Sequence, residues 1–275
     1  MAPFRTFLVA SILAAGLLLP AAGLTRGQGT VRMATTTSTQ NSGLLDFLLP
    51  KFEQATGLRV AVIAVGTGKA LRMGESGDVD VVMVHAPKAE LEYVARGAYV
   101  ERRPIMYNRF VLLGPAADPA GAAQAVDIGA ALARIAAIQA PFLSRGDNSG
   151  THIKELSLWR LAGAIPEGRW YQEVGQGMGP TLIITNEQQG YTLSDDATYL
   201  AFKSKLALAI LSKRDEVLRN PYAVMAVNPD RHPGSNFDGA MKLVDWLTSE
   251  AGQRAIGRFS IGGRALFVPS ARERQ

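Results

Sequence analysis

The sequence predicts two α/β lobes joined by a two-strand hinge, and three observations carry that prediction. Apolar runs of strand length alternate with helix-period patterns along most of the chain, the mark of a mostly parallel sheet covered on both faces by helices. One design recurs three times: an apolar run, a loop of hydroxyl residues and glycine, then a helix start. Two extended stretches, 100–113 and 220–227, exceed the usual strand of about five to six residues. A strand that leaves one sheet and enters another has that length, so a crossover is expected near Tyr107 to Phe110.

Taken in order, Val31 to Ala34 reads as a strand, the cluster Thr35-Thr36-Thr37-Ser38 as a loop, and Leu44 to Gln54 as a helix ending near Gly57. Leu58 to Val65 reads as a buried strand, followed by Gly66-Thr67-Gly68-Lys69 and a helix from Ala70. Val79 to Val84 is a strand, Lys88 to Arg96 a helix, and 100–113 the first long crossing. The second block has an Ala-rich helix over Asp127 to Gln139, an apolar run from Ala140 to Leu143, and the stretch Ser144-Arg145-Gly146-Asp147-Asn148-Ser149-Gly150-Thr151-His152 with a helix behind it. Short strands at Trp170 to Val174 and Tyr191 to Ser194, and helices from Thr181 and Asp195, complete it before 220–227 returns the chain. Helices at Phe237 to Leu247 and Gln253 to Phe259 close the first block. The expected boundaries are 30–107 plus 222–275 for one lobe and 108–221 for the other.

The three hydroxyl loops carry the chemistry. The first turn of a helix has backbone N–H groups without internal partners and the positive end of the dipole. Ser149 and Thr151 add hydroxyl donors, Arg145 adds a planar fork of N–H groups, and Gly150 lets backbone approach a ligand closely. Such a set suits a small oxyanion. Ligands of open α/β sheets bind beyond the carboxyl ends of strands, where all three loops fall. An ordinary N-cap accounts for one serine before a helix, but not for the whole threonine cluster. The string GTGKAL is not a phosphate-binding Walker loop, since it lacks the earlier glycine and a Ser or Thr after Lys69.

Composition narrows the class. The chain of 275 residues is 47% apolar and 19% charged, with no cysteine and a net charge of +5. That is a globular composition with a full core and no need of disulfides. The Lys and Arg residues are scattered, so nucleic acid is not the expected partner, and a positive balance equally favours encounter with small anions. Residues 1–23 have the three-part plan of a cleavable secretory signal: a basic start, an apolar run from Phe7 to Leu19, and small residues at Ala21 and Gly23. An exported, periplasmic protein is expected.

Several motifs together resemble a known family. TTTSTQNSGLLD at 35–46, AVGTGKAL at 64–71, SRGDNSGTH at 144–152, GQGMGPTL at 175–182 and YTLSDDATYLAF at 191–202 are similar to the tungstate-binding proteins of bacterial ABC importers, the TupA type. The resemblance spans almost all of the chain beyond the leader. It implies a type II periplasmic-binding-protein fold whose lobes close on one oxyanion, and delivery to an ABC permease subunit in the inner membrane. It places the oxyanion on Thr37, Ser38, Thr67, Arg145, Ser149, Gly150 and Thr151. The ligand is then tungstate or molybdate, with no cofactor and no metal beyond the tungsten of the oxyanion, and the protein is expected to be a monomer.

Chemistry supports a pocket of donors. Tungstate carries no proton at neutral pH, whereas phosphate often does and asks for a carboxylate acceptor, which Asp147 could supply unless it pairs with Arg145 or caps the helix. A phosphate-binding protein therefore stays open as an alternative. Another class is an exported hydrolase using Ser149 and His152, but three residues apart at a helix start they lack a nucleophile elbow. His85, His152 and His232 have no metal-ligand spacing. Tyr191 could aim its hydroxyl at the cleft, and Trp159, Trp170 and Trp246 are expected in the core.

Overall fold

The computed structural model describes residues 29–272, so the expected secretory signal at 1–23 lies outside the described residues. Eight strands form the main sheet. In chain order they are β1 (Thr30–Thr36), β2 (Arg59–Val65), β3 (Val81–Val84), β4 (Tyr99–Gly114), then, after the short pair β5 (Phe142–Ser144) and β6 (Tyr171–Glu173), β7 (Thr192–Asp195), β8 (Ala209–Ile210), β9 (Arg219–Val227) and the last strand of the chain. A hairpin of β10 (Ser260–Ile261) and β11 (Arg264–Ala265) precedes the last strand, β12 (Val268–Pro269).

The hinge is visible in the register of β4. Its first part pairs antiparallel with β9, from Tyr99↔Val227 to Arg109↔Arg219. At the next residue it changes partner, and Phe110↔Asp195 to Leu113↔Thr192 pair it with β7. One sixteen-residue strand thus belongs to two sheets, and β9 brings the chain back beside it. The first-lobe sheet has the order β12-β4-β9-β3-β1-β2. It is mixed rather than mostly parallel: β1 runs parallel to β2 and β3, while β9 is antiparallel to β3 and β4. The physical reason is connectivity, because a chain that leaves by one strand and returns by its neighbour must run the two in opposite directions.

Both faces of this sheet are apolar, as a sheet sandwiched between helices requires. Val31, Met33, Val81, Met83 and Val224 pack on one side with α2 (Leu44–Thr56), which follows the one-turn α1 (Thr37–Asn41). Ala34, Val82, Val84, Met225 and Val227 pack on the other with Leu71 of α3 (Thr67–Glu75) and with α4 (Pro87–Ala95). The second lobe packs α5 (Ile128–Ala137) and α6 (Gly150–Leu161) around Phe142 and Trp159. On its other side α7 (Met178–Glu187) and α8 (Asp196–Phe202) pack around Leu113 and Leu182. The closing helices α9 (Phe237–Thr248) and α10 (Glu250–Arg258) return to the first lobe.

Three local expectations are corrected. Thr35 and Thr36 belong to strand β1 rather than to a loop, and Thr35 satisfies its buried hydroxyl by donating to Met83 O at 2.8 Å. Strand β2 is only half-buried, because it is the edge of the sheet. Tyr191 does not face the cleft: it is buried in the second-lobe core, and its hydroxyl donates to Asp118 Oδ1 and accepts from Ala120 N, each at 3.0 Å. Trp159 is buried, and Trp170 and Trp246 pack half-buried against the two cores.

Candidate functional site

Each hydroxyl loop is set at a helix start by local chemistry. Thr36 caps α1 by accepting from Thr39 N at 3.1 Å, and this places Thr37 and Ser38 in the first turn of the helix. Helix α3 opens at Thr67 behind an extended Gly66. Ser149 is the N-cap of α6, its Oγ accepting from His152 N at 3.3 Å, so its own O–H stays available as a donor. The loop before it turns tightly through Gly146 and Asn148, both at positive φ. Gly146 has no substitute there, since a Cβ would lie 2.6 Å from Cβ of Glu173.

These segments converge. Arg145 Nη1 donates to Ser38 Oγ at 3.2 Å, and Gly150 N donates to Thr67 Oγ1 at 2.9 Å. Thr198 Oγ1 donates to Ser38 O at 3.3 Å from the start of α8. Thr37 lies against the turn before α7, its Oγ1 3.6 Å from where a Cβ on Gly177 would sit. All seven expected residues therefore line one seam between the lobes. Ser38, Thr67, Arg145, Ser149, Gly150 and Thr151 are buried there. Thr37 Oγ1, Thr151 Oγ1 and Arg145 Nε are buried without a hydrogen-bond partner in the protein. Buried polar atoms normally have one; of the orphans among the described residues these three fall on residues expected to meet the anion, and the others are His152 Nε2, Asp195 Oδ2 and Ser235 Oγ.

Asp147 is committed elsewhere. Its Oδ2 pairs with Arg145 Nη2 and its Oδ1 accepts from Ser149 N at 3.1 Å. A ligand proton would find that carboxylate already used. Ser149 and His152 do not form a catalytic pair either: His152 Nδ1 accepts from Asn148 N at 3.1 Å and the Ser149 hydroxyl bonds backbone. Among the described residues no group of three or more His, Cys, Asp or Glu side chains could hold a metal ion. Lys69 is exposed, as a rim charge would be.

Two groups escaped sequence reasoning. Glu155 lies beneath the arginine loop, almost fully buried, and accepts from Ser144 Oγ at 2.8 Å, Tyr171 OH at 2.7 Å and Trp159 Nε1 at 3.2 Å. Burial pushes its carboxyl up to about 7, and those three donors hold it back from rising further. Ser144 in turn accepts from Gly146 N at 3.2 Å, so Glu155 supports the turn that carries Arg145. The one available signal was helical spacing, since Thr151, Glu155 and Trp159 share the buried face of α6. His85 ends strand β3 beside Gly150, where a Cβ would stand 3.0 Å from its Cε1. Burial first, and then the charge of Arg145, lowers the imidazole to about 4, so it is neutral at physiological pH. A groove of about 720 Å³ reaches the seam at His85 and Gly150 and runs outward past Phe110, Ile153 and Lys154.

Comparisons with known proteins show the family. A family model described as a PBP superfamily domain matches residues 20–251. The chain is 47% identical over 251 residues to a protein named tungstate-binding protein TupA from Peptoclostridium acidaminophilum, covering 90% of this chain and 88% of that protein. Among solved structures it is similar to the tungstate ABC transporter structure from Geobacter sulfurreducens, with a TM-score of 0.79 and 52% identity over 84% of this chain and 98% of that one. It is also similar to the tungstate binding protein TupA from Desulfovibrio alaskensis G20, with a TM-score of 0.78 and 46% identity over 88% of this chain and 99% of that one.

Proposed function

The chain belongs to the TupA family of tungstate-binding proteins within the PBP superfamily, and on that premise we propose that it captures tungstate between its lobes and delivers it to an ABC permease. The observation that carries the reading is the seam itself. Arg145 and the helix start at Ser149 to Thr151 meet Thr37, Ser38 and Thr67 there, with buried donors left over. In this reading residues 30–107 and 222–275 form the first lobe and 108–221 the second. The anion lands on the first-lobe hydroxyls, and rotation about β4 and β9 brings Arg145 over it. The protein acts as a monomer in the periplasm, after removal of the leader, and catalyses no reaction.

The donor inventory favours a fully deprotonated tetrahedral dianion. Arg145 supplies the fixed charge, Ser38 and Ser149 keep a free hydroxyl proton, and Asp147 is tied to Arg145 and Ser149. Hydrogen phosphate therefore loses the acceptor it needs, which leaves a donor unpaired in a dry site. A nanomolar constant corresponds to about −12 kcal/mol. Hydrogen bonds to charged groups contribute about 1.5–3 kcal/mol each, so about seven of them cover that figure before the costs of closure and desolvation come off the sum. Molybdate has nearly the same size and charge and should compete.

Calorimetric titration of the purified protein with tungstate, molybdate, sulfate and phosphate tests this. Tungstate and molybdate are expected to bind tightly, sulfate weakly and phosphate not at all. Phosphate binding with no heat from tungstate would overturn it.

A further inference from the structure

A continuous line of buried side chains runs from the first-lobe hydroxyl turn through both hinge strands and back to that turn. His85 Nε2 lies 3.2 Å from Thr36 Oγ1, and its Nδ1 lies 2.9 Å from Asn220 Oδ1 on β9. Asn220 Nδ2 donates to Asn108 Oδ1 on β4 at 2.7 Å, and Asn108 Nδ2 donates to Asp195 Oδ1 at 3.3 Å. Asp195 Oδ1 accepts from Thr198 N at 2.8 Å, and Thr198 Oγ1 donates to Ser38 O. Both ends of the line thus land on the turn that holds Thr37. Every member is buried, and the two asparagines face each other directly across β4 and β9.

The line has a direction. A carboxyl that accepts at one end makes Asn108 the donor, so the Asn108 carbonyl accepts from Asn220. The Asn220 carbonyl then faces the imidazole and requires a proton on Nδ1. With the ring neutral, Nε2 has only a lone pair, and it takes the hydroxyl proton of Thr36. Thr36 Oγ1 in turn accepts from Thr39 N and from Thr39 Oγ1, the latter at 2.7 Å. The hydroxyl protons of Thr36 and Thr39 are thereby turned inward. Ser38 Oγ accepts from Arg145, so its proton points away from the arginine, into the seam.

We infer that His85, Asn220 and Asn108 are positioning residues which fix the direction of the hydroxyl protons around Thr37 and Ser38 and tie the oxyanion seat to both hinge strands. The inference rests on the oxyanion reading of the seam. A shift of β4 against β9 breaks the bond between the asparagines and releases the imidazole, so a loosened hinge also disorders the donors. Aspartate at 220 breaks the relay at a defined place, because it cannot donate to Asn108 and favours a protonated His85, whose Nε2–H would turn the Thr36 hydroxyl around; a purely structural role would lower stability without moving the imidazole proton. Arg145 opposes that protonation by its charge, and Tyr222 stacks on the ring at 4.7 Å between centroids.

The test uses the full mature chain. Imidazole ¹⁵N spectra are readable because the sequence holds three histidines. His85 is expected to show a protonated Nδ1 and a bare Nε2 at pH 6–8. Calorimetry with sodium tungstate is expected to show a dissociation constant raised at least tenfold in Asn220→Asp and at least about a hundredfold in Arg145→Ala. A protonated Nε2 in the wild type overturns the relay even if the variant fails to fold. Tungstate affinity within twofold of wild type in Asn220→Asp, with binding weakened in Arg145→Ala, overturns the relay alone. Unchanged tungstate binding in Arg145→Ala instead removes the oxyanion reading, and the inference goes with it.

Discussion

Arg145 and Ser38 stand 107 residues apart in the chain, yet Nη1 of one donates to Oγ of the other at 3.2 Å across the seam between the lobes. Arg145 is 2% exposed, and its guanidinium is already paired on its other arm with Asp147. A fork held on both sides loses little freedom when an anion arrives, so it is preorganised for one. Replacing Arg145 with Ala removes the fixed charge and leaves the Asp147 carboxylate unopposed beside the dianion. Tungstate affinity is expected to fall by at least about a hundredfold, since hydrogen bonds to charged groups contribute about 1.5–3 kcal/mol each. Arg145→Lys keeps the charge but not the fork and should recover only part of it. Calorimetry at fixed ionic strength reads both, and wild-type affinity in the alanine variant refutes the assignment.

Gly150 tests closure. Alanine is a better helix former than glycine by about 0.8–1 kcal/mol, so Gly150→Ala should not weaken α6 itself. The added Cβ would lie 3.0 Å from His85 Cε1 and 3.2 Å from Thr67 Oγ1. Neither neighbour can yield, for both are buried and hydrogen-bonded. The methyl group therefore wedges the lobes. Tungstate affinity should drop about tenfold while the melting temperature without ligand stays within a few degrees. Small-angle scattering of the saturated variant should give a larger radius of gyration than wild type. Identical radii and affinities would show that Gly150 does not limit how closely the lobes approach.

Glu155 makes a pH signature. Its carboxyl rises to about 7 in the fold from an ordinary value of 4.5, chiefly through burial. Between those limits the folded state holds the proton more tightly than the unfolded chain. Stability from this group is thus fully present below 4.5 and is lost as pH rises through 7. His85 works the other way: lowered by burial from 6.5 to about 4, it contributes stability that is lost as pH falls through 4. The wild-type profile is a sum of opposing slopes, so the informative quantity is a difference. Glu155→Gln does not titrate, and its stability relative to wild type should improve steadily from pH 4.5 to pH 7.5. Chemical denaturation at both limits, without tungstate, measures it. A difference that does not change with pH would mean Glu155 titrates normally.

What could be seen in the sequence divides along a physical line. Features set by neighbours in the chain were legible. The Ser149 cap, the glycine and hydroxyl loops, and the length of the 100–113 stretch, observed as a strand over 99–114, all follow from local spacing. The type II periplasmic-binding-protein fold followed from those together with the resemblance of the longer motifs. Features set by partners far along the chain were not legible. Asn108 and Asn220 look like ordinary polar residues in extended segments, and only the 112-residue contact between them reveals a relay. Asp195 read only as the start of a helix. Instead it is the buried cap of α8 and accepts from Asn108 on a hinge strand. The Tyr191 hydroxyl went to Asp118 because the strand's period-two alternation turned it into the core.

Thr151 separates stability from binding. Its Oγ1 is buried and has no partner in the protein, so the unliganded fold carries an unsatisfied hydroxyl. Leaving a buried polar group unpaired costs about 1–3 kcal/mol. Valine has nearly the same shape without the hydroxyl, and Thr151→Val should therefore raise the unliganded melting temperature, by about 2–4 °C per kcal/mol for a chain of this size. The same change removes a donor from the seam and should weaken tungstate about tenfold. Tungstate would then raise the melting temperature less in the variant than in wild type, because ligand stabilisation follows the ratio of concentration to dissociation constant. Differential scanning calorimetry with and without tungstate reads both effects in one experiment. A lower unliganded melting temperature would mean the hydroxyl is satisfied by the fold and has no need of an anion. A higher one with unchanged tungstate affinity would place the hydroxyl outside the donor set. Opposite signs on the two axes are what a site that gives up stability to hold an anion requires.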